Sequence, residues 1–339
     1  FYDVTAISSD KERLMEFGRS QEVETYHIEL TRKITPIQDL KATYKLYRYL
    51  KKEKPFIVHT HTPKAGIVGV LASYLARVPN RLHTVAGLPL LESSGLKRGV
   101  LNFVEKITYR CATKVYPNSF GLKKIILQSK FTKEKKLKVI GNGSSNGINT
   151  AYFDPQLFTF KENKKLKEKL NIKESDFVFI FVGRIVGDKG INELVEVFEK
   201  LSKKNKRVKL LLVGPFEEEL DPLQEQTKCF ISLNKQIIST GYQNDVRPYF
   251  AIANTLVFPS YREGFPNVVM QAGAMGLPSI VSDINGCNEI IEDNVNGLII
   301  PVKNRVELYD AMIKVLSDTS MKVNARKMIT NRFEQKVVW

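Results

Sequence analysis

Phe177-Val178-Phe179-Ile180-Phe181-Val182 runs without a polar side chain into Gly183-Arg184-Ile185-Val186-Gly187-Asp188-Lys189-Gly190, and then into the helical period of Ile191 to Leu201. Six consecutive apolar residues do not alternate, so the strand they form is buried on both faces, as in a parallel sheet covered by helices. Working outward, further apolar runs follow at Val208–Val213, Gln236–Thr240, Thr255–Pro259, Ser279–Ser282 and Leu298–Val302, separated by segments of helical period. The first half has the same alternation, with runs at Asp3–Ser8, Glu24–Leu30, Phe56–Thr62, Arg81–Ala86, Lys114–Pro117 and Leu137–Ile140. Alternating strands and helices predict βαβ units, hence an α/β fold of two Rossmann-like domains whose mostly parallel sheets face a cleft. In such sheets ligands bind at the carboxyl ends of the strands.

The segment Gly141-Asn142-Gly143-Ser144-Ser145-Asn146-Gly147 has the composition of a turn or hinge. The expected division is an N-terminal domain over 1–150, a second domain over 151–325, and the start of a C-terminal helix over 326–339 that packs back on the first domain. Between two runs of the first half, Ile37, Leu40, Tyr44, Tyr47 and Leu50 share one helix face and predict its buried side, with Lys41, Lys45, Arg48, Lys51 and Lys52 outside. The chain opens at Phe1 inside an expected strand, with no sign of a targeting peptide, and reads as lacking a preceding first strand.

The 339 residues, 43% hydrophobic and 26% charged, exclude whole-chain disorder. The longest mostly apolar stretch, Gly66 to Leu75, is far short of the ~20 residues that cross a bilayer. Cys111, Cys229 and Cys287 are widely spaced and odd in number, which suggests neither a disulfide framework nor a zinc ribbon and fits a cytoplasmic location. The net charge of +16 is unevenly divided: +14 falls in residues 1 to 150 and +2 in the remainder. A basic half points to an anionic surface, nucleic acid or acidic lipid; the alternative is a set of ordinary solvated lysines.

Two stretches carry candidate chemistry. In Gly183 to Gly190 a buried strand delivers a glycine-rich turn to a helix N-terminus, whose free N–H groups and positive dipole end accept an anion. Arg184 and Lys189 add two positive charges, which suits a diphosphate. The alternative is a plain strand-to-helix turn with Asp188 capping the helix. In Phe258-Pro259-Ser260-Tyr261-Arg262-Glu263-Gly264-Phe265-Pro266-Asn267, Gly264 permits close backbone approach to a ligand, and Glu263 either accepts hydrogen bonds from sugar hydroxyls or merely caps the following helix. Gln271, one turn later, faces the same cleft on this reading. His59 and His61 alternate on a strand; metal ligation, a role at the cleft and plain structural packing are all open. Lys64 meets an anionic acceptor or is only solvated.

Together, G-R-x-x-x-D-K-G and P-S-x-R-E-G-F-P-N-x-x-x-x-A resemble the donor domain of the family 4 retaining glycosyltransferases of GT-B architecture. His59-Thr60-His61-Thr62-Pro63-Lys64-Ala65-Gly66 resembles their acceptor-domain H-x-H-x-P-K-A segment, and Gly141-Asn142-Gly143 to Phe153 resembles their linker. Gly286 to Ile291 and Asn296-Gly297-Leu298 resemble their late G-x-x-E-I-I and N-G-x-L elements. The nearest branch is the bacterial capsular-polysaccharide and O-antigen type.

The resemblance implies a hexosyl- or N-acetylhexosaminyltransferase that moves sugar from a nucleotide-diphosphate donor, with UDP expected, to a polyprenyl-diphosphate-linked glycan. Catalysis then rests on Glu263, Arg184 and Lys189. The donor is expected to meet Gly183, Arg184, Lys189, Gly241, Tyr242, Glu263, Gly264, Phe265, Asn267, Val268 and Gln271, with His61 and Lys64 on the acceptor side. Pro266 has no N–H, so Phe265, Asn267 and Val268 are the backbone donors of that loop. No D-x-D occurs, so no metal and no other cofactor is expected. The expected place is cytoplasmic, peripheral on the anionic inner face of the plasma membrane. Two positions depart from the family pattern: Gln271 replaces the usual Glu that accepts from ribose hydroxyls, and Ala86 stands where many relatives have His. Two rivals remain, a GT-B-fold nucleotide-sugar epimerase and a basic nucleic-acid-binding protein. The second lacks a recognition motif, and the anion-site residues lie in the neutral half.

Overall fold

A computed structural model of the chain describes residues 2–31, 35–88, 90, 93–217, 219 and 221–338. It divides into two compact units, Phe1–Val139 and Ile140–Trp339. The boundary therefore falls before the glycine-rich linker and not at Thr150. The reason is backbone pairing: Ile148 N donates to Phe333 O and Gln335 N to Ile148 O, which ties the linker to the end of the second unit.

In the first unit, β1 (Thr5–Ser8) pairs in parallel with β2 (Glu24–His27), and β3 (Ile57–His61), β4 (Asn80–Val85) and β5 (Lys114–Pro117) form a parallel sheet in that order. Leu137–Ile140 is not a strand; only Leu137 bridges to Val115. The apolar stretch Gly66 to Leu75 lies in the helix Pro63–Leu75, which is seated on β3 and β4. A Cβ on Gly66 would come within 2.5 Å of the His83 ring, and one on Gly69 within 2.5 Å of the Thr60 methyl. Among the described residues no helix is long and apolar enough to cross a membrane.

The helix Pro36–Glu53 buries the later part of the expected face, with Leu50 buried and Tyr47 packed against the same core, but not its beginning. Ala42, Thr43, Leu46 and Leu50 are buried, whereas Ile37, Leu40 and Tyr44 are exposed. Small Ala42 and Thr43 let the helix approach its neighbour closely, so Leu46 and Leu50 interdigitate with Val68 and Ala72.

The second unit holds a six-stranded parallel sheet ordered β11-β10-β9-β6-β7-β8. Its strands are β6 (Phe177–Val182), β7 (Val208–Val213), β8 (Ile237–Ser239), β9 (Thr255–Phe258), β10 (Ser279–Ser282) and β11 (Gly297–Ile300). Phe179, Ile180 and Phe181 of β6 have no accessible surface, and burying each such side chain contributes about 1.5–3 kcal/mol. The C-terminal helix starts at Ser320, not near 326, and ends at Phe333. Its Met321, Ala325, Ile329 and Phe333 are buried with the second unit, where it packs on the helix Asn267–Ala274. Arg326 fastens it further by donating to the carbonyls of Phe153, Ala274 and Thr150 and pairing with Asp154 at 3.0 Å.

Strand order reverses between β9 and β6, which places the loops leaving these two strands at the switch point of the sheet. Backbone crowding there leaves no room for side chains. A Cβ on Gly214, just past β7, would sit 1.8 Å from Gly183 O, and one on Gly190 would sit 2.2 Å from Pro259 O. Gly190 also has φ +71, and Gly214 φ +147. Gly190→Ala therefore combines left-handed strain with a backbone clash and should cost about 3 kcal/mol. Gly241→Ala, at φ +67 but with open space around its Cβ, should cost only about 1 kcal/mol. Equal denaturation midpoints for the two variants would contradict this account.

His83 gives the first unit an acid limit. It is 2% exposed, shares a 2.9 Å hydrogen bond between Nδ1 and Thr60 Oγ1, and burial pulls its pKa from 6.5 to about 4. The unfolded chain takes up this proton near pH 6.5 and the folded chain only near 4. The stabilisation is therefore complete above pH 6.5 and lost as pH falls toward 4, by about 3 kcal/mol. His83→Gln, which cannot titrate, should remove that part of the pH dependence when urea denaturation is compared at pH 7 and pH 4.

Candidate active site

The strand β6 ends at Val182, and Gly183 carries the chain over the edge of the sheet, its N–H bonded to Val213 O at 3.0 Å. Ile185 and Val186 turn inward and are buried, which leaves Arg184 facing outward, 42% exposed. Gly187–Lys189 form one 3-10 turn, and Gly190 opens the helix Ile191–Lys204 with no side-chain cap. Asp188 is thus not the cap that one reading of the turn allows. Its carboxylate instead takes a fork from Arg262, with Nη2 at 2.7 Å and Nε at 3.2 Å. Its carbonyl accepts the N–H of Tyr261 at 2.9 Å.

Lys189 and Glu263 form the centre of the arrangement. Lys189 Nζ lies 2.5 Å from Glu263 Oε1, with the two side chains 14% and 19% exposed. Ser260 Oγ donates to the same Glu263 oxygen at 3.1 Å. Glu263 does not cap the following helix, because the N-cap of Asn267–Ala274 is Pro266 and no side chain caps it. The two loops are therefore joined by paired bridges, Asp188 with Arg262 and Lys189 with Glu263. Two helix N-termini without side-chain caps open beside them.

The remaining donor-side residues follow the same loops. Gly264 meets Gly286 so closely that a Cβ on Gly286 would lie 2.6 Å from Gly264 O. Phe265 turns its ring into the core against Phe333, centroids 5.5 Å apart, which leaves its backbone as the part available to a ligand. Asn267 is exposed, while Val268 and Gln271 are half-buried on the helix Asn267–Ala274. Gly241 O accepts the N–H of Gly214 at 2.9 Å, which brings the loop after β8 to the same edge. Tyr242 there is 71% exposed, and Gln243 donates to Thr240 O at 2.8 Å.

Several participants are missing from the residue-by-residue reading of the sequence. Glu217 bonds Arg184 at 2.9 Å and raises the pKa of its guanidinium. Asp221 accepts the N–H of Asp188 at 2.5 Å, while its carbonyl accepts that of Gly187 at 3.1 Å. The acidic run Glu217-Glu218-Glu219 and Asp221 just past β7 was the available signal. Tyr261 donates to buried Glu193 at 2.6 Å, and Glu193 lies 3.3 Å from Arg305, so the loop after β9 is strutted to the helix Ile191–Lys204. Cys287 is buried beside the pair, and burial and the Glu263 charge push its thiol well up.

In the first unit, the His59 and His61 rings lie side by side, centroids 4.3 Å apart and tilted by 38°, and His59 Nε2 bonds Thr84 Oγ1 at 2.8 Å. Burial and the charge of His61 pull His59 to about 4, and burial lowers His61 as well. Both rings are therefore neutral at pH 7. Lys64 is not simply solvated: its ammonium pairs with Asp39 of the helix Pro36–Glu53 at 2.5 Å. Among the described residues no three His, Cys, Asp or Glu side chains converge as a metal site would require.

A model of glycosyl transferases group 1 matches residues 162–334, and one of glycosyl transferase 4-like proteins matches residues 1–119. The chain is 36% identical over 343 residues to the capsular polysaccharide biosynthesis glycosyltransferase CapM of Staphylococcus aureus, covering 99% of this chain and 87% of that protein. It is 32% identical to the Escherichia coli UDP-Gal:alpha-D-GlcNAc-diphosphoundecaprenol alpha-1,3-galactosyltransferase, covering 90% and 78%. Among solved structures, Anabaena HepE in complex with UDP and glucose superposes with a TM-score of 0.80 at 18% identity, covering 98% and 89%. A Rickettsia africae glycosyltransferase gives a TM-score of 0.79 at 23% identity, covering 98% and 86%. With both units matched by these models, relatives and folds, the chain belongs to the family 4 glycosyltransferases of GT-B fold and is a glycosyltransferase.

Proposed function

We propose that this enzyme transfers a hexose or N-acetylhexosamine from a UDP-sugar to a polyprenyl-diphosphate-linked glycan during cell-surface polysaccharide synthesis, with retention of configuration and without a metal. One observation carries the reading: Lys189 and Glu263, a cation and a carboxylate from two different loops, meet at 2.5 Å beside two uncapped helix N-termini. The cation and the helix ends suit a diphosphate, and the carboxylate suits sugar hydroxyls. The E. coli relative acts on a diphosphoundecaprenol-linked acceptor with UDP-Gal, and HepE binds UDP, which supports the same chemical classes here.

In the proposed reaction the bond from the anomeric carbon to the diphosphate oxygen breaks, and the acceptor oxygen bonds to that carbon on the same face. The acceptor proton passes to the departing phosphate oxygen. Charge building on the diphosphate is met by Arg184, Lys189 and the N–H groups at the start of the helix Ile191–Lys204, which are in place before reaction. Glu263 orients the sugar. Gln271 offers the ribose one amide oxygen in place of a carboxylate. His61, neutral and exposed, is the acceptor-side hydrogen-bonding group.

The lipid-linked acceptor calls for a membrane surface, and the basic first unit supplies a complementary one. On the helix Gly95–Cys111, Leu96, Val100 and Phe103 are 92%, 47% and 64% exposed and lie on one side, flanked by Lys97 and Arg98. An apolar stripe with basic flanks fits a helix lying in an anionic interface. We place the enzyme peripherally on the cytoplasmic face of the plasma membrane on this ground.

Two experiments test the reading. Thermal melting with UDP, GDP, ADP and NAD should show one nucleoside diphosphate raising the melting temperature, equivalent to about 2.7 kcal/mol at a hundredfold excess over Kd. Lys189→Ala should abolish that shift relative to its own unliganded melting temperature; a full shift in the variant would remove the diphosphate assignment. In co-sedimentation with phosphatidylglycerol-containing vesicles, Lys97→Ala/Arg98→Ala should weaken binding about 30-fold, at ~1 kcal/mol per basic residue. Equal binding to neutral and anionic vesicles would argue against the membrane surface.

A further inference from the structure

The two cations of the anion turn are held in different ways. Lys189 and Glu263 form a short, largely buried pair, whereas Arg184 and Glu217 meet at 2.9 Å with side chains 42% and 34% exposed. Glu217 comes from the segment that leaves β7 and runs beside the turn. That segment is pinned on both sides of Glu217: Ile185 N donates to Pro215 O at 2.8 Å, Gly187 N to Asp221 O at 3.1 Å, and Asp188 N to Asp221 Oδ2 at 2.5 Å. Pro215 and Asp221 are therefore tied to the turn, and the Glu217 side chain can leave Arg184 by rotating into water without breaking either tie.

A guanidinium fork accepts carboxylate and phosphate oxygens in the same geometry. We propose that Glu217 is an internal counter-ion that stands in for a donor phosphate at Arg184. Diphosphate binding then exchanges one oxyanion for another, and Glu217 sets donor affinity. The exchange is confined to Arg184, because Glu217 is solvated on release, whereas Glu263 separated from Lys189 would remain three-quarters or more buried. The inference rests on the donor-site reading above and adds to it a residue that tunes affinity from outside the sugar contacts.

The test is calorimetric titration of the full chain with inorganic pyrophosphate and with UDP, using wild type, E217Q, R184Q and the double variant. Half-exposed ion pairs are worth up to ~1 kcal/mol, so E217Q should bind both ligands about threefold more tightly. The gain should vanish in the R184Q background. E217A, which removes the side chain altogether, should repeat the gain if a carboxylate competitor is what has been lost. Unchanged or weaker pyrophosphate binding by a folded E217Q overturns the proposal and leaves the donor reading intact. Tighter pyrophosphate binding by E217Q, with UDP bound no better than pyrophosphate, supports the counter-ion while refuting a UDP-sugar donor.

Discussion

The site depends on backbone crowding at the carboxyl ends of β6, β7 and β9. Gly190 packs against the Pro259 carbonyl and Gly214 against that of Gly183, with no space for a Cβ at either contact. This proximity lets Tyr261 N reach Asp188 O and puts Lys189 within range of Glu263, residues 74 positions apart in the chain. The sheet edge thus fixes the spacing of the two loops, the kind of preorganisation that positioning reacting groups requires. The strut from Tyr261 through Glu193 to Arg305 extends the same restraint outward.

The electrostatics of the site differ from what the net charge of +16 suggests. Arg184, Lys189 and Arg262 each face a carboxylate, from Glu217, Glu263 and Asp188 respectively, and Asp221 adds a fourth acid. Of these cations only Lys189 is largely buried, and its pairing with Glu263 keeps it from being desolvated alone, a condition costing several kcal/mol. The excess positive charge of the chain lies in the first unit, where helices Pro36–Glu53 and Gly95–Cys111 expose both lysines and large apolar side chains. One unit thus pairs its loop cations with carboxylates, and the other carries an unbalanced basic surface.

Much of the fold was legible in the sequence because strand burial leaves a direct record. The run Phe177 to Val182 is a strand over those same residues, and the runs at Val208–Val213, Ser279–Ser282 and Lys114–Pro117 are strands with the same bounds. A strand covered on both faces is predominantly apolar, so composition outlines it even where an end residue such as Ser279, Ser282 or Lys114 is polar. The helix Pro36–Glu53 was read correctly at Leu50 and Tyr47 and misread at its start for the opposite reason. Its buried side includes Ala42 and Thr43, whose small size matters only once a neighbouring helix is known, while Ile37, Leu40 and Tyr44 face water. Leu137–Ile140 was read as a strand yet contributes a single bridge, Leu137 to Val115 at the edge of the sheet.

Local sequence alone determined the parallel α/β character, the order of the elements, and the two loops that carry Arg184, Lys189 and Glu263. Each is a property of neighbours along the chain: unbroken apolar runs, glycine at a strand end, a helix beginning. Which carboxylate meets which cation was decided only by tertiary structure. Asp188 could cap its own helix or bridge to Arg262, and Glu263 could cap the next helix or bridge to Lys189; the contact between Gly190 and Pro259 selects the bridges. Lys64 took Asp39 as its partner by the same rule. Side-chain pairing depends on distances across the fold, and those are set by how closely backbones pack.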